Sequence, residues 1–246
     1  MLQQLSRQDI YKLKRLILSD FKDYFPDESK KIKVTELLAD NKSQPYHNTF
    51  HMLVTGVFVY LSLLYDKYGM IKDVDIFTDN SLRESIIKEY MPLILAGFLH
   101  DIGHGGFENK GKDYKNIENT ISILREQIRD SVFLNDIIKY IKFTEFPYND
   151  TLYQESLEED RYAADILRSA DLASIFLSDI NILGLCYTLH GIELRNLDKS
   201  LEQMSNEDIK KFMQNQYKFY NSGYFVSSYT KDLEKTYLVK CFSKWL

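Results

Sequence analysis

The run MPLILAGFL leads straight into HDIGH, so a stretch apolar enough to be buried carries His100, Asp101 and His104 at its end. Ionisable groups in such a setting are costly without partners, and any fold of this chain has to bring compensating groups to that point. Adjacent His and Asp side chains project roughly 100° apart on a helix. They converge only on something lying between them, and a metal ion suits that position. The chain has five histidines, and four of them fall in two short segments: His47 and His51 in PYHNTFH, His100 and His104 in HDIGH.

Residues four apart stack on one helical face, which places His47 and His51 together on a long helix. That pair alone reads equally well as two polar residues where a buried helix surfaces. The HDIGH cluster tips the reading toward a site. A third element is SADLAS, where Asp171 stands between Ala170 and Leu172. His51, His100, Asp101 and Asp171 together supply two imidazole nitrogens and two carboxylates, a set that suits zinc, iron or manganese rather than calcium. Cys186 and Cys241 lie far apart in apolar helical context and fit neither a disulfide framework nor a thiolate zinc site.

The surrounding pattern is helical. Leu13, Leu16, Ile17 and Phe21 recur at three- and four-residue steps, and only 10 Gly and 4 Pro interrupt the 246 residues. Helices are expected before the FPDES turn, at 33–39, at 46–65 (capped by Ser43 or Asn41, with Pro45 in its first turn) and along LRESIIKEYMPLILAGFL. In the last of these Pro92 is expected to separate two helices. GHGGFENKGKDY reads as a loop. Further helices are expected at 115–129, 131–143, 158–178, 180–192, 206–221 and 226–243. No repeat or linker divides the chain, so the expected fold is all-α, one multi-helix domain spanning 1–246.

The net charge of −5 gives no support to a nucleic-acid or anionic-membrane partner held by bulk charge. A phosphate-bearing substrate would need a local positive centre such as a metal. The amphipathic start MLQQLSRQDIYKLKRL has no signal-type apolar core. No run approaches 18 uninterrupted apolar residues. A cytoplasmic protein without a membrane span is expected.

YHNTFH, LHDIGHGGFEN and ADLAS resemble the catalytic domain of cyclic nucleotide phosphodiesterases, within the HD superfamily of metal phosphohydrolases. The family's opening motif matches Tyr46, His47, Asn48 and His51. Its His–Asp pair matches His100 and Asp101, its next histidine His104, and an asparagine five residues on Asn109. A Glu–Asn pair is similar to Glu118 and Asn119, and a threonine–acid element to Thr144 and Glu145. The purine-binding glutamine and the phenylalanine that follows it resemble Gln216 and Phe219. Gly103 stands where the family usually has aspartate, and residues 173–175, Ala-Ser-Ile, replace its Ser-Asn-Pro.

The resemblance implies hydrolysis of a 3',5'-cyclic nucleotide to the 5'-monophosphate by a hydroxide bridging two divalent metals. Zinc, iron or manganese would occupy the tight site on His51, His100, Asp101 and Asp171, and magnesium or manganese a second site bridged by Asp101. His47 would protonate the leaving oxygen, with Glu145 orienting it. His104, Asn109 and Glu118 would hold metal-bound waters, and Gln216 with Phe219 would bind the base. A different reading is an HD phosphohydrolase acting on nucleotides or cyclic dinucleotides, and a third is a non-catalytic module that keeps the fold. His190, in CYTLHGIEL, reads as structural, and Lys110, Lys112 and Lys115 as a solvated basic loop.

Overall fold

In the computed structural model, residues 4–39, 44–69, 79–106, 113–148, 150–195 and 200–246 are described. The helices are α1 (Arg7–Tyr24), α2 (Pro26–Lys31), α3 (Val34–Ala39), α4 (Thr49–Tyr68), α5 (Asn80–Leu99), α6 (Tyr114–Gln127), α7 (Leu134–Ile141), α8 (Asp150–Glu155), α9 (Glu158–Asp171), α10 (Ile182–Cys186), α11 (Asn206–Tyr220) and α12 (Ser228–Phe242). There is no strand among the described residues. The fold is all-α, as the periodicity predicts.

α4 is the hub. Its residues from His51 to Tyr65 are all buried, and α1, α5, α9 and α12 pack around it. By length and composition α4 could cross a membrane, yet 83% of its most apolar window is buried inside the protein, as in a core helix. Its start differs from the sequence expectation. The helix begins at Thr49, where the Asn48 side chain accepts hydrogen bonds from the backbone N–H of Phe50 and of His51. Asn48 is thus the N-cap, and Pro45 and His47 lie before the helix. His47 and His51 therefore do not share a helical face, and Asn41 and Ser43 lie outside the described residues.

α5 is broken at Tyr90, whose backbone is non-helical (φ −122°, ψ 15°), so two helical segments meet at a kink two residues before Pro92, as expected from the sequence. Where α5 crosses α4, glycine faces glycine. A Cβ on Gly97 would lie 2.9 Å from the Gly56 Cα, and one on Gly56 would lie 2.3 Å from the buried Phe98 ring. Backbones this close tolerate no side chain between them. The crossing sits five residues after His51 and three before His100, so it sets the distance between those two imidazoles.

The C-terminal third departs from plain helix. The expected helix over 180–192 is the short α10 followed by a π-helix, Tyr187–Glu193. The helix expected over 158–178 ends at Asp171 and gives way to a 3-10 turn, Ala173–Phe176.

The glycine crossing makes a prediction. Ala is favoured over Gly in a helix by about 1 kcal/mol, but overpacking a tight core costs about 1–3 kcal/mol or more. Here the obstruction is backbone, which cannot rotate away. Gly97→Ala should lower the urea midpoint of unfolding. An unchanged or raised midpoint would show that the helices do not approach this closely.

Candidate metal centre

Three helices deliver the four donors. His51 comes from the first turn of α4, His100 and Asp101 from the end of α5, and Asp171 from the last residue of α9. The His51 and His100 Nε2 atoms are 3.3 Å apart. Asp171 Oδ1 is 2.9 Å from His51 Nε2 and 3.1 Å from His100 Nε2. Asp101 Oδ2 is 3.3 Å and 3.0 Å from the same two nitrogens. All four ligand atoms lie within 4.8 Å of one another. Around an ion with bonds of about 2.0–2.1 Å, neighbouring tetrahedral ligands stand roughly 3.3 Å apart, so the spacing is that of an ion's ligand shell.

The donor chemistry fits as well. The His100 Nδ1–H donates to the Gly97 carbonyl at 3.0 Å, which leaves Nε2 to face the cluster, the arrangement that orients metal-binding imidazoles. His51 Nδ1 is buried without a partner, and Tyr46 packs its ring 4.5 Å from that of His51. Without a cation, two carboxylates this close repel, and here His100 offsets them. Burial alone would lower the His100 pKa, but the charges of Asp101 and Asp171 outweigh it and hold it well above the ordinary histidine value. Burial would raise Asp101 and Asp171, yet His100 keeps both below the usual carboxylate range. A bound cation would take the place of the His100 proton.

His47 stands beside this cluster, its Nε2 3.9 Å from Asp101 Oδ2. Its Nδ1 makes a short hydrogen bond to Glu193 Oε1. The other oxygen of Glu193 accepts from the backbone N–H of Tyr46 at 2.6 Å and of His47 at 3.0 Å. Burial would lower the His47 pKa, but the Asp101 charge and the Glu193 hydrogen bond raise it, which favours the imidazolium. His104 stacks face to face on His47, with ring centroids 3.7 Å apart. Its Nδ1 accepts from the Gly106 N–H, and burial followed by the His47 charge lowers its pKa to about 4. A neutral ring thus lies on a charged one.

Several expectations are corrected. Glu145 does not reach His47. It follows the 3-10 turn Lys142–Thr144 half-buried, and burial, then Asp113 and Glu118, raise its pKa. Glu193 takes the orienting position instead. Glu118 is exposed, because α6 turns Asn116, Ile117, Thr120, Ile121 and Leu124 inward. The α6 residue that meets His104 is Asn116, whose Nδ2 is 2.9 Å from His104 Nε2. Asp113, which accepts from the Phe146 N–H at 2.7 Å, was also missed in the sequence. Asn109, Lys110 and Lys112 lie outside the described residues. Gly103 has φ +78°, and a Cβ there would meet Ile123 at 2.4 Å, so the departure from aspartate follows from the backbone.

The donors open into a cavity of about 370 Å³, within the range of small-molecule sites. His47, Asp101 and Asp171 are among its lining residues. Phe146, Tyr148, Leu189 and Phe219 form apolar wall, and Arg195 stands exposed at the lining. Gln216 is buried with its Oε1 unbonded and is not among the residues that line the cavity. The chain matches no family model and no curated protein. Its all-helical architecture and buried histidine–aspartate cluster are compatible with an HD-type fold.

Two outcomes are expected. Wild-type protein should retain a metal ion on these donors, and Asp171→Ala, which removes one of the four, should lose it. An equal metal content in both, by elemental analysis, would remove Asp171 from the ligand set. In metal-free protein the raised His100 pKa stabilises fully below about pH 6.5, the unfolded value, and that contribution fades as pH rises through the folded value. The depressed carboxylates contribute above about pH 4 and lose their share only in stronger acid. Metal-free protein should therefore show a falling urea midpoint from pH 6 toward pH 9. A midpoint that rises over this window would contradict the charge assignment of the cluster.

Proposed function

We propose that this chain is a metal-dependent phosphodiesterase that hydrolyses a 3',5'-cyclic nucleotide to the 5'-monophosphate. The observation that carries this reading is the His47–Glu193 pair: a histidine hydrogen-bonded to a buried carboxylate, beside four metal-type donors, lining a cavity sized for a small molecule. A divalent metal held by His51, His100, Asp101 and Asp171 would supply Lewis acidity and an acidified water for attack on phosphorus. His47, with Nδ1 hydrogen-bonded to Glu193, would pass a proton to the departing sugar oxygen, a poor leaving group as an alkoxide. Glu193, fixed by two backbone N–H groups, holds the imidazole by Nδ1 and leaves Nε2 as the donating atom. Stacked His104 keeps water from the face of the ring. The apolar wall with Phe219 provides a surface for a base.

Arg195 favours a second reading within the same chemistry. It lines the cavity, exposed and with no ion pair among the described residues, and would suit a substrate carrying a further phosphate, such as a cyclic dinucleotide. A panel of cyclic mononucleotides, cyclic dinucleotides and deoxynucleoside triphosphates separates these readings. The absence of metal-dependent turnover on every member would point to a non-catalytic module.

The roles of the two motif histidines are separable. His51→Ala should lose metal and turnover together. His47→Ala should keep metal while turnover of a cyclic nucleotide falls 10²–10⁴-fold, the usual worth of general acid catalysis. A p-nitrophenolate leaves without protonation, so the loss on bis-p-nitrophenyl phosphate should be much smaller. Equal losses on the two substrates with metal retained would mean that His47 positions phosphate. Loss of metal in His47→Ala would make it a ligand.

A further inference from the structure

The apolar wall of the cavity carries one imidazole that the chemistry above does not use. His190 lines the cavity edge-on to Phe219, with ring centroids 5.4 Å apart and planes at 66°. Its Nε2 is sealed from solvent with no hydrogen-bond partner. Buried polar atoms are nearly always bonded, so a sealed, unbonded nitrogen beside a ligand cavity is a vacancy for a ligand's polar group. Burial, then the positive charges of Arg195 and His47, lowers its pKa to about 4. The ring is neutral near pH 7 and so offers one N–H donor and one acceptor. A half-turn about χ2 exchanges Nε2 with Cε1 and Nδ1 with Cδ2 while the ring plane stays in place, so the edge atoms that this cavity-lining ring offers can change without repacking the wall.

The backbone gives this residue a second property. His190 and Glu193 belong to the same π-helix, Tyr187–Glu193, an irregularity frequent at functional sites. One rigid segment therefore carries both the carboxylate that orients the acid and the imidazole on the apolar wall. The segment fixes how far a base on that wall stands from the oxygen that His47 protonates. Gln216, which the sequence pattern nominates for the base, is not among the residues that line the cavity.

We infer that His190 is the specificity-determining residue of the cavity, reading the base of a bound nucleotide through a hydrogen bond while Phe219 packs against the same base. This rests on the phosphodiesterase reading for the identity of the ligand. The hydrogen bond is neutral, so its removal should cost about tenfold in binding.

The test compares wild type, His190→Leu, His190→Gln and Gln216→Ala, all metal-loaded. Binding of 3',5'-cyclic AMP and cyclic GMP is measured by calorimetry at low temperature, together with kcat/KM for each nucleotide and for bis-p-nitrophenyl phosphate, which has no base. His190→Leu should weaken nucleotide binding about tenfold and lower the nucleotide-to-p-nitrophenyl ratio of kcat/KM by a similar factor. His190→Gln, which keeps a donor and an acceptor, should recover part of the loss, and Gln216→Ala should change the ratio less than His190→Leu. An unchanged ratio in His190→Leu, a larger effect of Gln216→Ala, or wild-type protein that binds no nucleotide would each overturn the assignment. The phosphodiesterase reading is reported separately, by metal-dependent turnover of the p-nitrophenyl ester. A parallel fall on all substrates with loss of metal would show that His190 only packs, and would also overturn it.

Discussion

The site depends on how closely α4 and α5 approach. Glycine opposite glycine, Gly56 and Gly97, lets two long buried helices meet backbone to backbone. That contact holds His51 and His100, which extend from it in opposite chain directions, at one nitrogen–nitrogen spacing. α9 packs on α4 and ends at the point where Asp171 completes the set. A bulkier residue at either glycine would force the helices apart, and donors held within 4.8 Å would separate. Core packing and ligand geometry are one constraint here. The burial that makes the core also makes the bare cluster costly, since buried charges need partners.

Environment then assigns different tasks to chemically identical side chains. His100 is turned by the Gly97 carbonyl so that Nε2 faces the carboxylates. His47, against Glu193, favours the protonated form, whereas His104, stacked on it and buried, favours the neutral one. His190, half-buried beside Phe219 and near Arg195, favours the neutral form as well. Each assignment follows from a named neighbour. Separated protonation preferences among adjacent titratable groups are what acid–base chemistry needs.

The donors were legible in the sequence because each breaks an otherwise apolar helical pattern. A histidine and an aspartate closing MPLILAGFL have no reason to be buried except a shared partner. Asn48 was legible as a motif residue, but its capping role, which takes His47 off the helix, was not. Glu193 and His190 were hidden by backbone geometry: a π-helix shifts side chains out of the 3.6-residue register on which face assignments rest. Glu118 lost its place to Asn116 because the inward face of α6 is set by where the helix begins. Glu145 lies past a 3-10 turn whose direction local propensity does not fix. Gln216 satisfied a spacing pattern, yet spacing does not say whether a buried side chain lines the cavity.

The account stands on a metal bound by two imidazoles and two carboxylates. X-ray absorption at the edge of the metal retained after purification, or of zinc supplied to the protein, measures that shell directly. The account predicts two imidazole nitrogens, recognisable by their outer-shell scattering, with oxygen ligands at about 2.0–2.2 Å and no sulfur. A shell containing sulfur, a shell with one imidazole or none, or protein that takes up no metal would contradict it.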